Sequence, residues 1–211
     1  MVMNMADTGK QVGAVILAAG RSSRMGDFKP LLAISGLTMM EHIINKFVAV
    51  GCEPIVVVTG READRLETYI TEQYSQKIYF IQNVLYETTE MMDSVKLGIK
   101  RLQELNGCHA FFLTTADIPL FQTKTLVHLL SGSGPLRKPS CHKKCGHPVY
   151  IDMSLADALL DYQGEQGLKG AFVQSGPMHY VDVEDEGILM DADTKEGLEQ
   201  LRAYSVRHLV K

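Results

Sequence analysis

Residues 12–17 read VGAVIL, a continuous apolar run, and residues 17–30, which overlap and follow it, read LAAGRSSRMGDFKP. A short apolar run without polar alternation is typical of a strand that is buried on both faces of a parallel sheet. Similar runs at 54–58, 77–82 and 110–113 alternate with segments of helical period. This alternation predicts an α/β fold built on a three-layer, doubly wound (Rossmann-like), mostly parallel sheet.

Boundary signals place the remaining elements. Thr38 and Glu41 have the spacing of a capping box, which opens a helix, and Gly51 is a suitable helix stop. Further helices are expected at 61–74, from Met92 to 106–107, near 124–130 and from about Thr194, and late strands at 148–151 and 178–183. We expect residues 1–211 to form a single domain.

Composition excludes several classes of protein. The chain has 211 residues, 45% of them hydrophobic, and a net charge of −4 with its basic residues dispersed, which argues against a nucleic-acid partner. No uncharged stretch approaches the roughly 18 residues that a membrane span needs. Residues 1–12 lack the apolar core of a signal peptide, so we expect a cytoplasmic protein whose four cysteines are reduced (Cys52, Cys108, Cys141 and Cys145).

The loop after the first strand is the first candidate binding site, because ligands of such sheets lie beyond the carboxyl ends of the strands. Small residues at 18–20 allow close approach of the backbone to a ligand, and Arg21, Arg24 and Lys29 add three cations. A solvated loop is the alternative, but the combination favours phosphate binding. Neither the G-x-x-x-x-G-K-[ST] loop nor the dinucleotide G-x-G-x-x-G pattern is present.

Residues 17–29 resemble the L-A-A-G-x-S-x-R-M-G-x-x-K signature of MobA-like nucleotidyltransferases, especially the molybdenum cofactor cytidylyltransferases, at every fixed position. The resemblance implies a fold of the nucleotide-diphospho-sugar transferase type, with a nucleotide-binding part at about 12–120 and an acceptor-side part at about 121–211. It implies that Arg24 and Lys29 neutralise the triphosphate during catalysis. Nucleotide-binding residues carried over from the signature are Leu17, Ala18, Ala19, Gly20, Arg21, Ser22, Ser23, Arg24 and Lys29.

Asp117 is the candidate ligand for Mg²⁺, the one cofactor expected. It follows the apolar run at 110–113 and precedes Pro119. A carboxylate at the end of a central strand can bind Mg²⁺, or it can form an Asx turn or a helix cap, and the residues alone leave these even. The family has a D-x-P motif here, which Asp117 and Pro119 match, and the resemblance therefore implies that Asp117 is a catalytic metal ligand.

A second metal ligand is predicted at Asp191. Residues 190–194 (MDADT) partly match the family's D-I-D-T-P-E-D ending, with Lys195 in place of proline and Gly197 in place of aspartate. Asp193 or Thr194 can alternatively serve to cap the last helix.

Base and acceptor contacts are predicted from weaker matches. Asn83 and Ser94 fit the family's N…G-M-x-x-S segment, in which Glu90 replaces the usual glycine. Met91 and Met92 can instead pack in the core, and for Met92 this alternative is favoured.

On the acceptor side, Gly146 and His147 match a G-H-P segment of the family, and Lys169 lies in GEQGLKG at 164–170. Two alternatives to acceptor contacts remain open: His147 can be a structural residue of the turn, and Lys169 can be a solvated surface lysine. A zinc site formed by Cys141, His142, Cys145 and His147 is disfavoured, because these residues are too closely spaced.

Together these residues predict a Mg²⁺-dependent nucleotidyltransferase that joins CTP to a phosphorylated acceptor, with molybdopterin the leading acceptor. CTP is preferred because the guanylyltransferase branch usually has glycine at the position of Ala19. The alternatives are guanylyl transfer to molybdopterin and nucleotidyl transfer to a sugar or polyol phosphate. A different class is a non-catalytic nucleotide-binding accessory protein that serves a molybdenum hydroxylase client.

Overall fold

The structure is a computed structural model, and it describes residues 11–20 and 28–208. Strands and helices alternate along the chain. The strands in these ranges are β1 (Gln11–Leu17), β2 (Ala33–Ile34), β3 (Leu37–Thr38), β4 (Ile55–Thr59), β5 (Ile78–Gln82), β6 (Cys108–Thr115), β7 (Leu136–Cys141), β8 (Lys144–Cys145), β9 (Val149–Asp152) and β10 (His179–Asp182). The α-helices are α1 (Met39–Ala49), α2 (Ala63–Gln73), α3 (Met91–Leu105), α4 (Thr123–Ser131), α5 (Ala156–Asp161), α6 (Gly167–Ser175) and α7 (Lys195–His208).

The central sheet has the strand order β10-β7-β9-β6-β1-β4-β5, and β8 pairs with β7. Strands β6, β1, β4 and β5 are parallel, with Val15 of β1 opposite Val56 of β4 and Leu113 of β6. Strand β9 runs antiparallel to both β6 and β7, and β10 is parallel to β7. The predicted doubly wound, mostly parallel sheet is therefore confirmed.

Helices cover both faces of the sheet. Along β1, Ala14 and Ile16 contribute to one buried cluster, and Val15 and Leu17 contribute to the other. The first cluster includes side chains from α1, α2 and α4, and the second includes side chains from α3, α5 and α6. Because successive side chains of a strand point to opposite faces, a strand between two such layers is apolar throughout, as residues 12–17 are.

Helix α1 begins as its sequence predicts. The Glu41 amide donates to Thr38 Oγ1 at 3.2 Å, and the Thr38 amide donates to Glu41 Oε2 at 2.7 Å, which completes the capping box. Gly51, at φ 75°, lies just beyond the end of the helix, where a left-handed conformation favours glycine.

Six of these elements were not predicted, namely β2, β3, β7, β8, α5 and α6. The sequence of β7, LRKPSC, carries two basic residues and a proline, so it has no apolar period, and the strand forms through its pairing with β9 and β10. His142 and Lys143, both at positive φ, make the tight turn between β7 and β8.

The last helix returns to the middle of the molecule. Leu198, Leu201 and Tyr204 of α7 form a third buried cluster with Ile34, Met39, Leu120 and Ala192. This packing holds the segment before α7 close to the end of β6. No helix within the described ranges is long and apolar enough to cross a membrane.

Candidate active site

A cleft of about 260 Å³ lies beyond the carboxyl ends of β1 and β6, where the fold places ligands. Five separate stretches of the chain contribute to its wall. The lining residues are Leu17, Ala18, Ala19, Gly20, Lys29, Pro30, Asn83, Tyr86, Thr89, Glu90, Met91, Ser94, Thr115, Ala116, Asp117 and Asp193.

The small residues after β1 form one side of the cleft. The Ala18 amide donates to the Val58 carbonyl at 2.8 Å, which extends the pairing with β4 by one residue. A Cβ on Gly60 would lie 2.9 Å from Ala19 Cβ, so glycine is needed there for the loop to sit this close. Gly20 is exposed, with open space around it. The predicted contacts Arg21, Ser22, Ser23 and Arg24 lie outside the described residues and stay predictions.

Lys29 brings a cation to the cleft wall from a short 3₁₀ turn, Lys29–Leu31. Its side chain is 11% exposed, and Nζ lies 2.9 Å from Asp193 Oδ1 in an ion pair that joins positions 164 apart in sequence. The ammonium is thus held at the cleft by a carboxylate that is itself half exposed. An anionic phosphate group entering the cleft would meet this cation.

Asp117 carries the most unusual polar atom of the cleft. Its Oδ1 is buried and has no hydrogen-bond partner among the described residues. Burial raises the pKa of the Asp117 carboxyl; the nearby Asp193 carboxylate also raises it, and a hydrogen bond from Thr115 and the charge of Lys29 lower it. A partnerless buried acceptor next to a second carboxylate fits a hard divalent cation, which would supply the missing partner.

The segment before α7 is docked against Asp117. The Ala192 amide donates to the Asp117 carbonyl at 3.0 Å, and Asp191 Oδ1 accepts from the Asp193 amide at 3.0 Å in an Asx turn. Both carboxylates are exposed, and Asp193 lines the cleft whereas Asp191 does not, although the charge of Asp191 also raises the pKa of the Asp117 carboxyl. Thr194 Oγ1 accepts from the Gly197 amide at 3.0 Å and so caps α7. The role of Asp191 as a second metal ligand stays a prediction, but Asp193 has the more direct access.

No group of three or more His, Cys, Asp and Glu side chains in the described parts of the chain is arranged to hold a metal ion. A cation at Asp117 would therefore depend on one or two carboxylates, with substrate phosphates and water completing its shell. Mg²⁺ is commonly bound in this way.

Asn83 and Ser94, the predicted base contacts, meet in the cleft and bind each other. Asn83 Nδ2 donates to Ser94 Oγ at 3.0 Å and to Thr89 Oγ1 at 2.9 Å, and Asn83 Oδ1 accepts from the Leu85 amide at 3.1 Å. The Asn83 side chain therefore ties the end of β5 to the loop that leads into α3. Its amide organises this wall of the cleft.

The start of α3 contributes both polar and apolar groups to that wall. Glu90 precedes the helix, and its amide donates to Asp93 Oδ2 at 2.9 Å. Met91 is 53% exposed at the cleft, whereas Met92 is buried in the second core cluster, as its core-packing alternative predicted.

The predicted acceptor residues lie on the other side of β6. A Cβ on Gly146 would lie 2.1 Å from the Ile188 carbonyl oxygen, so this turn accepts glycine alone without rearrangement. The His147 amide donates to that carbonyl at 3.0 Å, and Nδ1 lies 3.4 Å from the Leu113 carbonyl oxygen. Burial, aided by the charge of Lys138, lowers the pKa of His147 to about 4, so the imidazole is neutral at pH 7. A neutral His147 can offer an acceptor a hydrogen bond but no positive charge.

Lys169 and the cysteines are separated from the cleft lining. Lys169 is exposed on α6, and its contact with an acceptor stays a prediction. Cys141 is buried, whereas Cys145 is exposed, and the pairing of Cys141 with Lys144 and of Ser140 with Cys145 places the two thiols on opposite faces of the hairpin.

Sequence reasoning gave no site role to five lining residues, Pro30, Tyr86, Thr89, Thr115 and Ala116, and assigned Asp193 only as a possible helix cap. Tyr86 and Thr89 lie in a loop that has no apolar period and no motif, so nothing in the sequence marks them. Asp193 carried a signal, since it lies in the same partly matched segment as Asp191.

Comparison with known families places these residues in context. The model of the MobA-like NTP transferase domain family matches residues 14–178, which is most of the chain.

Two curated relatives share part of this region. The bifunctional protein GlmU of Brevibacillus brevis is 30% identical over 123 residues, covering 57% of this chain and 25% of GlmU. The 2-aminoethylphosphonate cytidylyltransferase of Lancefieldella rimae is 29% identical over 114 residues, covering 52% of this chain and 44% of that protein. The chain therefore matches less than half the length of either relative.

Solved structures share the whole fold. A nucleotidyl transferase from Methanothermobacter thermautotrophicus superposes with a TM-score of 0.78 at 19% identity, covering 94% of this chain and 99% of that one. Rv0371c from Mycobacterium tuberculosis in complex with manganese superposes with a TM-score of 0.73 at 19% identity, covering 92% of this chain and 99% of that one. Molybdopterin-guanine dinucleotide biosynthesis protein A from Archaeoglobus fulgidus superposes with a TM-score of 0.66 at 16% identity, covering 93% of this chain and 100% of that one. At these identities the likeness shows the fold alone.

Proposed function

The chain belongs to the MobA-like NTP transferase domain family, and we propose that it is a nucleotidyltransferase that uses a nucleoside triphosphate and a phosphorylated acceptor. The resemblance in residues 17–29 is thereby confirmed at the level of the family. The observation that carries the proposal is the buried Oδ1 of Asp117, which has no hydrogen-bond partner within residues 11–20 and 28–208 and lies in the same cleft as Lys29 and the small residues after β1. A triphosphate with a divalent cation would satisfy these groups together.

The proposed reaction is an in-line transfer. An acceptor phosphate oxygen attacks the α-phosphorus of the triphosphate, a new P–O bond forms, the bond to the β-phosphate oxygen breaks, and pyrophosphate leaves. The chain has to align the two substrates and offset charge on the phosphate oxygens, and it needs no covalent nucleophile. Lys29 lies at the cleft wall for this purpose, and Arg24 is expected to assist. A phosphate monoester is already anionic near neutral pH, so no strong general base is required.

Asp117 would hold the divalent cation, with Asp191 or Asp193 as a second carboxylate. When bound, Mg²⁺ would neutralise phosphate oxygens as their charge increases. Access favours Asp193, because it lines the cleft. The structural neighbour that was solved with manganese supports a divalent cation in this fold.

We propose CTP as the nucleotide and molybdopterin as the acceptor. Support for CTP comes from Ala19 and from the cytidylyltransferase relative, and support for molybdopterin comes from the signature in residues 17–29. The GlmU relative keeps a sugar phosphate as the second candidate acceptor. Transfer of a guanylyl group to molybdopterin is the remaining alternative within the family.

The test is pyrophosphate release from CTP and from GTP with Mg²⁺, with and without purified molybdopterin, a sugar phosphate or 2-aminoethylphosphonate. Release from CTP that requires molybdopterin is expected. Release that requires another acceptor would replace molybdopterin, and preference for GTP would overturn the choice of nucleotide. Tight CTP binding without turnover on any acceptor would favour a non-catalytic accessory protein, such as one that serves a molybdenum hydroxylase.

The Asp117→Asn variant assigns the cation site. It should abolish turnover and leave the free energy of unfolding unchanged or higher, because it removes a negative charge that burial disfavours. Asp161→Asn, an exposed change at the end of α5, is the matched control and should be fully active. Equal turnover in both variants would show that the cation lies elsewhere.

A further inference from the structure

Lys46 of α1 is an enclosed cation that the proposed reaction does not use. Its Nζ donates to the His42 carbonyl at 2.7 Å, one turn back along its own helix, and to the Pro119 carbonyl at 2.8 Å. The ammonium also lies 5.4 Å from the centroid of the Phe121 ring. Pro119 is the second residue after Asp117, so Lys46 joins α1 directly to the loop that carries the proposed cation ligand.

That loop, residues 117–122, is held on its other side by the segment from Asp185 to Ala192. The Gln122 amide donates to Asp185 Oδ2 at 2.7 Å, and the Ala192 amide donates to the Asp117 carbonyl at 3.0 Å. A Cβ on Gly187 would lie 2.2 Å from the Leu120 carbonyl oxygen, which shows how closely the two segments pack. Lys46 supplies a further contact from α1, so two separate elements hold the backbone between Asp117 and Gln122.

Stability alone gives a poor account of a lysine at this place. Burial lowers the pKa of Lys46 to about 7, although the charge of Asp185 raises it, so enclosing the ammonium is unfavourable. An apolar side chain of similar volume would fill the same space without that penalty. What it could not do is donate to the Pro119 carbonyl and fix its orientation.

We infer that Lys46 is a positioning residue for the divalent cation. By holding the Pro119 carbonyl, it fixes the backbone from which the Asp117 carboxylate faces the cleft. The inference rests on the proposed function, since it assigns to Lys46 a part in the same cation site. It extends that site to a side chain on α1 that does not line the cleft.

The test compares three variants of the full chain, Lys46→Met, Lys46→Arg and Lys96→Met. Lys96 is the matched control, because it is also a half-buried helical lysine that donates to a backbone carbonyl, that of Tyr162 at 2.6 Å, but it lies away from the cation site. Mn²⁺ is titrated into each protein with CTP present, and free Mn²⁺ is followed by electron paramagnetic resonance. Urea unfolding is measured on the same samples.

We expect Lys46→Met to weaken Mn²⁺ binding by about 10- to 100-fold, the range typical for loss of a group that orients a metal ligand. Its urea midpoint should change no more than that of Lys96→Met, which likewise loses a donor to a backbone carbonyl. Lys96→Met should bind Mn²⁺ like the wild type, and Lys46→Arg, which keeps a charged donor, should recover part of the affinity. Wild-type Mn²⁺ affinity in Lys46→Met would overturn the inference, as would equal weakening in Lys96→Met. If the wild type itself binds no Mn²⁺ with CTP, the proposed cation site fails first, and the inference fails with it.

Discussion

The chemistry of the cleft depends on a few side chains whose surroundings change their charge. Asp117 is half-buried near Asp193, so its ionised form is disfavoured until a cation or a donor reaches Oδ1, which has no partner in the part of the chain that the structure describes. Lys29 counters this by pairing with Asp193 at the cleft wall. The site therefore holds anionic and cationic groups close together, an arrangement that suits a substrate bound as a triphosphate with a divalent cation.

His147 is the residue whose titration should be visible in the stability of the protein. Its pKa is lowered from 6.5 to about 4 by burial, so between these values the unfolded chain binds a proton that the native chain does not. Stability from this group is therefore complete above about pH 6.5 and is lost as the pH falls towards 4.

We expect the wild type to lose about 1–2 kcal/mol more unfolding free energy between pH 7 and pH 5 than the His147→Asn variant does. Urea unfolding of both proteins at the two pH values measures this difference, which removes the contribution of the carboxylates that both share. Parallel losses in the two proteins would show that His147 titrates normally and is open to solvent.

At the scale of elements, the loop between β5 and α3 depends on one side chain. Asn83 is buried and makes three hydrogen bonds, to Leu85, Thr89 and Ser94, and these fix the wall of the cleft opposite Lys29. Without the amide, the Leu85 N–H and the two hydroxyls lose a common partner, and the loop is free to move away from a bound nucleotide.

The Asn83→Ala variant should lower the unfolding free energy by about 1–3 kcal/mol and raise the KM for the nucleotide more than it lowers kcat. Asn45→Ala is the control, because Asn45 makes an exposed bond, from Tyr74 at 2.9 Å, and its loss should cost less than about 0.5 kcal/mol. Urea unfolding and initial-rate kinetics give both quantities. A stability loss in Asn83→Ala with an unchanged KM would show that this wall does not touch the nucleotide.

The elements that could be predicted are those whose signals are local. Strand β1 is apolar because helices cover it on both faces, and α1 carries its own capping box, so both are visible in a short window of sequence. Strand β7 has no such pattern, since its place comes from pairing with distant strands. Helix α6 (GLKGAFVQS) likewise begins with glycine and lacks a capping side chain.

The residues of the candidate site divide in the same way, into those marked by a local sequence signal and those placed by distant contacts. Leu17, Gly20 and Asp117 belong to motifs at the ends of two adjacent strands, so the fold itself brings them together. Asp193 reaches the cleft because α7 packs on Leu120 and Met39, a tertiary contact that no local pattern announces. Residues brought to a site by packing between distant segments are the ones that sequence reasoning misses.

For the whole molecule, the cleft is where segments that are distant in the sequence meet. Lys29 and Asp193 are 164 positions apart, and the remaining walls come from residues 17–20, 83–94 and 115–117. A ligand that contacts all of these segments binds the native state and not the unfolded chain, so it should stabilise the entire fold. A ligand at a concentration 100 times its dissociation constant adds about 2.7 kcal/mol to the free energy of unfolding. For a domain of this size, that raises Tm by roughly 5–10 °C.

We expect CTP with Mn²⁺ to raise the Tm of the wild type by such an amount, and CTP alone to raise it much less, because the cation links the phosphates to Asp117. In Asp117→Asn the difference between CTP with and without Mn²⁺ should disappear, while the smaller effect of CTP alone remains. Thermal melts with CTP, Mn²⁺ and both together measure this. A full shift by CTP without metal, or an unchanged metal effect in the variant, would show that nucleotide binding does not pass through Asp117.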